Sequence, residues 1–303
     1  MAKRKGKPGL RAPGGAGRGQ PARPRGGAPG GGGGHVRAES RSRPRAGARS
    51  GPRSGVAPLW LYGIHAVTAA LANPQRRPER LVATPEAAQT WGQRLKEARH
   101  PGHGALSIET LSRRDIDALL PEGSVHQGLA LRTAPLDQPA LEDIFGASPP
   151  DSGARRVVVL LDQVTDPHNV GDVLRSAAAF GALAVVALDK GAPEESGTLA
   201  KSASGALEVV PYISVVNLAR ALDSLKEAGF WCLGLAGEAR QSLAESAPGA
   251  AVALVLGAEG SGLRRLTRER CDLLVKLPTR APIDSLNVSN AAAVALYELL
   301  GRS

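Results

Sequence analysis

The sequence predicts two α/β domains behind a disordered basic tail, the second domain built on a parallel sheet. Three observations carry this. The composition breaks at Pro58; apolar segments then alternate with helical patterns; and the C-terminal half contains continuous apolar runs such as RVVVLLD (156–162) and AVALVLG (251–257). A run that is apolar at every position suits a strand covered on both faces, the usual state of a parallel sheet flanked by helices.

Residues 1–57 hold 14 of the 38 Lys and Arg but one of the 28 acids, Glu39, so they carry more than the whole formal charge of +10. The remainder has 24 bases against 27 acids, and its charge alone does not make it a nucleic-acid binder. With 16 Gly, 7 Pro and no aromatic residue, the tail cannot bury enough surface to offset its ordering entropy and reads as disordered. No apolar run follows its basic start as a secretory signal would require, and its Gly and Pro defeat an amphipathic transit helix. No stretch approaches the roughly 18 apolar residues of a membrane span. A soluble, cytoplasmic protein is expected. Cys232 and Cys271 lack metal-ligand spacing and are expected as buried, reduced thiols.

The first domain spans 58–133. LWLYG (59–63) leads into a helix in which Ile64, Val67, Ala70 and Leu71 recur at helical spacing, and Asn73-Pro74 stops it. RLVAT (80–84) reads as a strand, Pro85 to Arg99 as a helix with Pro in its first turn, and ALSIE (105–109) as a second strand. Ser112 and Asp115 have the spacing of a capping box, and VHQGLALRT (125–133) closes the series as a strand. A Pro- and acid-rich linker, 134–154, contains one short turn at Leu141–Phe145.

The second domain, 155–303, adds strand candidates AVVALD (184–189), LEVVPYI (207–213), FWCLGLA (230–236) and LLVKLP (273–278), with a helix over 215–229. A dinucleotide-binding fold would show G-x-G-x-x-G after RVVVLLD; the segment there, QVTDPHNVGDVLRS, has one glycine, which disfavours a nicotinamide-linked dehydrogenase.

Three clusters put polar or glycine residues at strand ends, where open α/β sheets hold ligands: NVGDVLRSAAAFG (169–181), GAEGSGL (257–263) and IDSLNVSNAAAV (283–294). Asn169, with Asp172 three residues on, could cap the helix running to Phe180. Arg175 lies about 600° further around that helix, so the two converge only if Asn169 sits in the preceding loop. Ser285 could cap the Ala-rich C-terminal helix, with Asn287 and Ser289 satisfying its open N–H groups.

In order and spacing these clusters closely resemble the three motifs of the 2'-O-ribose branch of the SPOUT RNA methyltransferases. YGIHAV (62–67) and HQGLA (126–130) resemble the ends of that family's RNA-binding domain, which is similar to ribosomal protein L30e. The resemblance covers roughly residues 59–303 and is greatest to the bacterial 23S rRNA guanosine-2'-O-methyltransferases. It implies S-adenosylmethionine as cofactor, RNA as partner, no metal, a homodimer using the C-terminal helix, and a C-terminal trefoil knot that ordinary topology rules would exclude. It assigns catalytic roles to Asn169, Arg175, Glu259, Ser285 and Asn287, and cofactor contacts to Gly257, Leu277 and Leu286. A guanidinium is always protonated, so Arg175 suits a phosphate clamp better than a base; Glu259 is expected to orient Arg175 or the active-site loop. A tRNA guanosine methyltransferase and an inactive RNA- or ribosome-binding module are the competing readings.

Overall fold

The computed structural model describes residues 58–147, 155–282 and 285–301. The tail read over 1–57 lies outside the described residues, as do 148–154 of the linker. The described residues fall within one compact unit holding two sheets.

In the first part, β1 (Leu59–Tyr62), α1 (Ile64–Ala72), β2 (Pro78–Ala83), α2 (Pro85–Ala98), β3 (Ile108–Thr110), α3 (Arg113–Leu119) and β4 (Leu129–Thr133) follow one another. The sheet order is β1-β4-β2-β3; β4 is antiparallel to both neighbours, while β2 and β3 are parallel. The four residues that gave α1 its period are all buried, and the helix ends at Asn73 as expected. Thr84 caps α2 by accepting the Ala87 N–H at 3.2 Å. Ser112 accepts the Asp115 N–H to start α3, but its hydroxyl, rather than its N–H, donates to the Asp115 carboxylate at 2.7 Å.

Strand boundaries differ from the sequence reading here: β2 runs Pro78–Ala83 rather than 80–84, and the larger differences are at two strand starts. β3 begins at Ile108 rather than residue 105, and β4 begins at Leu129 rather than 125. Residues 126–128 form a turn with Gln127 and Gly128 at φ 55° and 74°, which ends any extended pairing. The buried His126 fastens that turn. Its Nδ1 accepts the Gly128 N–H at 3.1 Å, so Nε2 carries the proton and donates to Asp117 at 2.9 Å.

The second part contains β5 (Arg156–Asp162), α4 (Pro167–Phe180), β6 (Ala184–Leu188), α5 (Gly197–Ala203), β7 (Tyr212–Val215), α6 (Leu218–Glu227), β8 (Trp231–Leu235), β9 (Gln241–Ser242), β10 (Ala251–Gly257), α7 (Arg265–Arg270), β11 (Leu273–Lys276) and α8 (Val288–Leu296). The sheet order is β7-β6-β5-β10-β8-β11-β9 and every pairing is parallel. Along β5, Val157, Val159 and Leu161 enter one core with α4, α5 and α8, while Val158 and Leu160 enter another with α6. Both faces are covered, which is why β5 and β10 are apolar throughout.

LEVVPYI is a strand only at its end. Ala206–Glu208 is a 3-10 turn after Gly205 at φ 96°, Val209 is 72% exposed, and Pro211 has no N–H to pair, so β7 starts at Tyr212. The short turn in the linker, Leu141–Ile144, is present, and its Leu141 and Ile144 are buried in the α6-side core.

The two sheets share one apolar core through α1, β1, α4 and α5. Gly197 and Gly205 allow the approach: a Cβ would lie 2.4 Å from the Trp60 carbonyl oxygen at the first and 2.8 Å from the Ala69 methyl at the second. Beside them the fully buried Arg76 side chain meets Glu208 at 2.7 Å and Glu195 at 2.5 Å and donates to the Ala134 carbonyl at 3.1 Å. Among the described residues no helix is long and apolar enough to cross a membrane. Both cysteines are free thiols; Cys232 is buried and Cys271 only half-buried.

Candidate active site

The parallel strands β5, β8, β10 and β11 deliver their C-terminal ends to one side of the sheet. The chain leaving β10 enters GAEGSGL, where an Ala258–Gly262 bridge folds the loop on itself and Gly260 and Gly262 take φ of 79° and 65°. Those angles favour glycine. At Gly257 the constraint is space: a Cβ would sit 2.2 Å from the Gly262 carbonyl carbon. Its glycine is therefore already required by the loop's own packing. Next along, Arg264 donates its N–H and Nε to the fully buried Asp162 at the end of β5, at 2.9 and 2.6 Å, fixing where the loop exits.

At the start of α4, Asp166 rather than Asn169 is the cap, accepting the His168 N–H at 3.1 Å, with Pro167 in the first turn. Aspartate followed by proline is a stronger start signal than an asparagine three residues after that aspartate. Asn169 therefore lies inside the first turn, where its side chain is released from capping. The loop position needed for Asn169 and Arg175 to converge is not adopted, and Arg175 lies on an exposed face of α4.

At the start of α8 the cap is Asn287, not Ser285. Its Oδ1 accepts the N–H groups of Ser289 and Asn290 at 2.9 and 3.4 Å and the Ser289 hydroxyl at 2.6 Å. Those donors fix the amide's orientation, so Nδ2 points the other way. It donates to Asn169 Oδ1 at 2.9 Å and to Glu259 Oε1 at 2.5 Å. Glu259 Oε1 also faces Asn169 Nδ2 and the Val288 N–H, each at 3.4 Å. Glu259 thus ties the glycine loop to the starts of α4 and α8. It does not orient Arg175.

Beside this cluster lies a pocket of about 550 Å³, within the usual range for a small-molecule site. Gly257, Leu277, Leu286, Glu259, Ser285 and Asn287 all line it; Asn169 and Arg175 do not. The apolar wall comes from Leu235, Leu256, Leu277 and Leu286, with Ala291 of α8 closing one side. Sequence reasoning missed Leu235 at the end of β8, the loop after it, residues 236–238, and Arg268 of α7, which also line the pocket. Their only sequence signal was the apolar strand that delivers the first of them. Among the described residues no group of three or more His, Cys, Asp or Glu is placed to hold a metal ion.

The model of the SpoU rRNA Methylase family matches residues 156–297, and that of RNA 2'-O ribose methyltransferase substrate binding matches 60–139. The 23S rRNA (guanosine-2'-O-)-methyltransferase RlmB of Vibrio cholerae is 43% identical over 249 residues, covering 78% of this chain and 94% of that protein. The chain belongs to the SpoU rRNA methylase family. The 23S rRNA (guanosine-2'-O-)-methyltransferase RlmB of Pseudomonas putida is 39% identical over 250 residues, covering 78% of this chain and 94% of that protein. Among solved structures, the SpoU methyltransferase AviRb from Streptomyces viridochromogenes in complex with AdoMet has a TM-score of 0.67 at 20% identity, covering 81% of this chain and 90% of that one. The AdoMet-bound rRNA methyltransferase from Sinorhizobium meliloti has a TM-score of 0.64, also at 20% identity, over 80% and 86%. At that identity the likeness is one of fold. It places the SpoU-type mixed α/β architecture with its parallel sheet in this chain.

Proposed function

We propose that this chain transfers a methyl group from S-adenosylmethionine to the ribose 2'-hydroxyl of a guanosine in 23S rRNA. The observation that carries the reading is convergence: the Asn169–Glu259–Asn287 cluster stands at the edge of a pocket whose walls hold Gly257, Leu277 and Leu286. The pocket fits the cofactor. It is large enough for a nucleoside, has apolar side chains to face an adenine, and offers carboxylate to a cation. Bound there, S-adenosylmethionine would supply an activated methyl group on its sulfonium.

The chain's own residues then align and receive the substrate. Glu259 and Asn287 hold the glycine loop against α8, so the pocket edge is set before RNA arrives, and such pre-alignment contributes several kcal/mol to a displacement reaction. Ser285, exposed at the pocket, and Asn169 present polar groups to the ribose. Arg175, outside the cluster, grips a phosphate of the RNA; having no acceptor site it cannot take the hydroxyl proton, whose removal is shared by that phosphate or another acceptor.

Residues 58–133 form the L30e-like domain that selects the RNA, 134–154 the linker and 155–303 the catalytic domain. The C-terminal segment threads as a trefoil knot, a reading that rests on the family resemblance alone. Two copies associate in the cytoplasm through α8 and the turn that follows it, where Val294 and Tyr297 are 47% and 53% exposed. The basic tail adds salt-dependent attraction to RNA. Incubation with methyl-labelled S-adenosylmethionine and either 23S rRNA or tRNA tests the function: label enters the rRNA, whereas label in tRNA alone, or in neither, overturns the reading.

A further inference from the structure

The residues lining the pocket include three charged groups, Glu238, Glu259 and Arg268. Glu259 is committed to Asn169, Asn287 and the start of α8. Glu238, just beyond β8, and Arg268, on α7, meet as an ion pair in which Arg268 Nη1 donates to Glu238 Oε1. The two side chains are 62% and 35% exposed, and an ion pair so open to solvent contributes little to stability. The fold does not account for it. Glu238 accepts its own backbone N–H as well as Arg268, and both hold the carboxyl below its usual range, so it is charged at neutral pH.

The cofactor assigned above carries three charges: the sulfonium, the α-ammonium and the α-carboxylate. Two carboxylates and one guanidinium form their inverse. Arg268 is the one cation among the described lining residues and hence the one charged partner the α-carboxylate can find there. With Glu259 engaged at the catalytic cluster, Glu238 remains for the α-ammonium. We propose that the Glu238–Arg268 pair recognises the amino-acid end of S-adenosylmethionine, Arg268 taking the α-carboxylate and Glu238 the α-ammonium, while Leu277 and Leu286 face the adenine. The proposal rests on the cofactor reading of the pocket and adds the residues that set its polar end.

Calorimetric binding of S-adenosylmethionine and of 5'-methylthioadenosine, which keeps the adenine and ribose but lacks the amino-acid end, tests it. Glu238→Gln and Arg268→Gln each weaken S-adenosylmethionine binding by about tenfold or more, the scale of a charge-assisted hydrogen bond, and leave 5'-methylthioadenosine within about twofold of the parent chain. Retained binding of the second ligand also shows that the variants are folded. Equal loss of both ligands means that the pair faces the ribose or supports the pocket wall, and unchanged affinity for both means that it touches neither end; each overturns the inference alone. If the unsubstituted protein binds neither ligand, the cofactor reading itself fails.

Discussion

Replacing Asn287 separates the two functions of one amide. Its Oδ1 caps α8, and its Nδ2 reaches Asn169 and Glu259. Asn287→Ala removes both. Loss of an asparagine cap costs about 1 kcal/mol, and loss of an N–H donor to a carboxylate in this solvent-open cluster contributes about 1 kcal/mol more. At roughly 2–4 °C per kcal/mol for a domain of this size, Tm falls by about 4–8 °C. Asn287→Asp keeps an oxygen for the cap, and aspartate caps as well as asparagine does. It sets a second carboxylate against Glu259, however, where like charges about 4 Å apart repel by roughly 1–4 kcal/mol between aqueous and surface-like dielectrics. The glycine loop is then pushed from α8. Thermal unfolding by circular dichroism and single-turnover methyl transfer read the two effects: Ala loses stability and transfer, while Asp loses at least tenfold in transfer with its helix cap intact. Parent-like Tm in the Ala variant refutes the capping argument. Parent-like transfer in the Asp variant refutes the cluster argument.

Gly257→Ala drives a methyl into the Gly262 backbone and costs about 1–3 kcal/mol, with loss of S-adenosylmethionine binding as the loop shifts; unchanged affinity by calorimetry contradicts the packing role. Arg76→Met leaves Glu195 and Glu208 without their buried cation and lowers stability by about 3–5 kcal/mol in urea unfolding; a loss under about 1 kcal/mol contradicts it. Burial pushes both thiols up to about 12, whereas an unfolded cysteine ionises near pH 8.5. Above roughly pH 8.5 the folded chain therefore holds more protons than the unfolded chain, and stability falls as pH rises from there towards 12; an increase across that window in the parent but not in a Cys232→Ala, Cys271→Ala variant contradicts the assignment. Arg175→Lys keeps the charge but loses the two-pronged grip on phosphate and slows transfer, and full turnover in that variant removes the clamp.

What could be read in the sequence was whatever local pattern determines. β5 and β10 matched RVVVLLD and AVALVLG residue for residue, because burial on both faces leaves no polar position to blur the ends. α1 was legible from four residues that are all buried. LEVVPYI misled because its valines belong to a turn after Gly205, and only neighbouring strands decide whether an apolar run pairs. α5 and α7, seven and six residues long, are too short to show a period. At the site, the glycine loop and the start of α8 were legible as polar residues at strand ends. The capping residues were not: Asn287 competes with Ser285 at comparable propensity, and the stronger Asp166-Pro167 start lies just outside the polar cluster that begins at Asn169. Glu238 and Arg268 lie 30 residues apart in an exposed loop and a short helix, and only the parallel packing of β8 and β11 brings them to one pocket.

The central claim, methyl transfer to a ribose 2'-hydroxyl of 23S rRNA, is tested most directly by mapping the product. The full chain, S-adenosylmethionine and unmodified 23S rRNA are incubated and the RNA is cleaved by limited alkaline hydrolysis, which requires a free 2'-hydroxyl. A single protected position at a guanosine, absent when the cofactor is omitted, is the result expected; an unprotected ladder, or methyl label recovered on a base, contradicts the account.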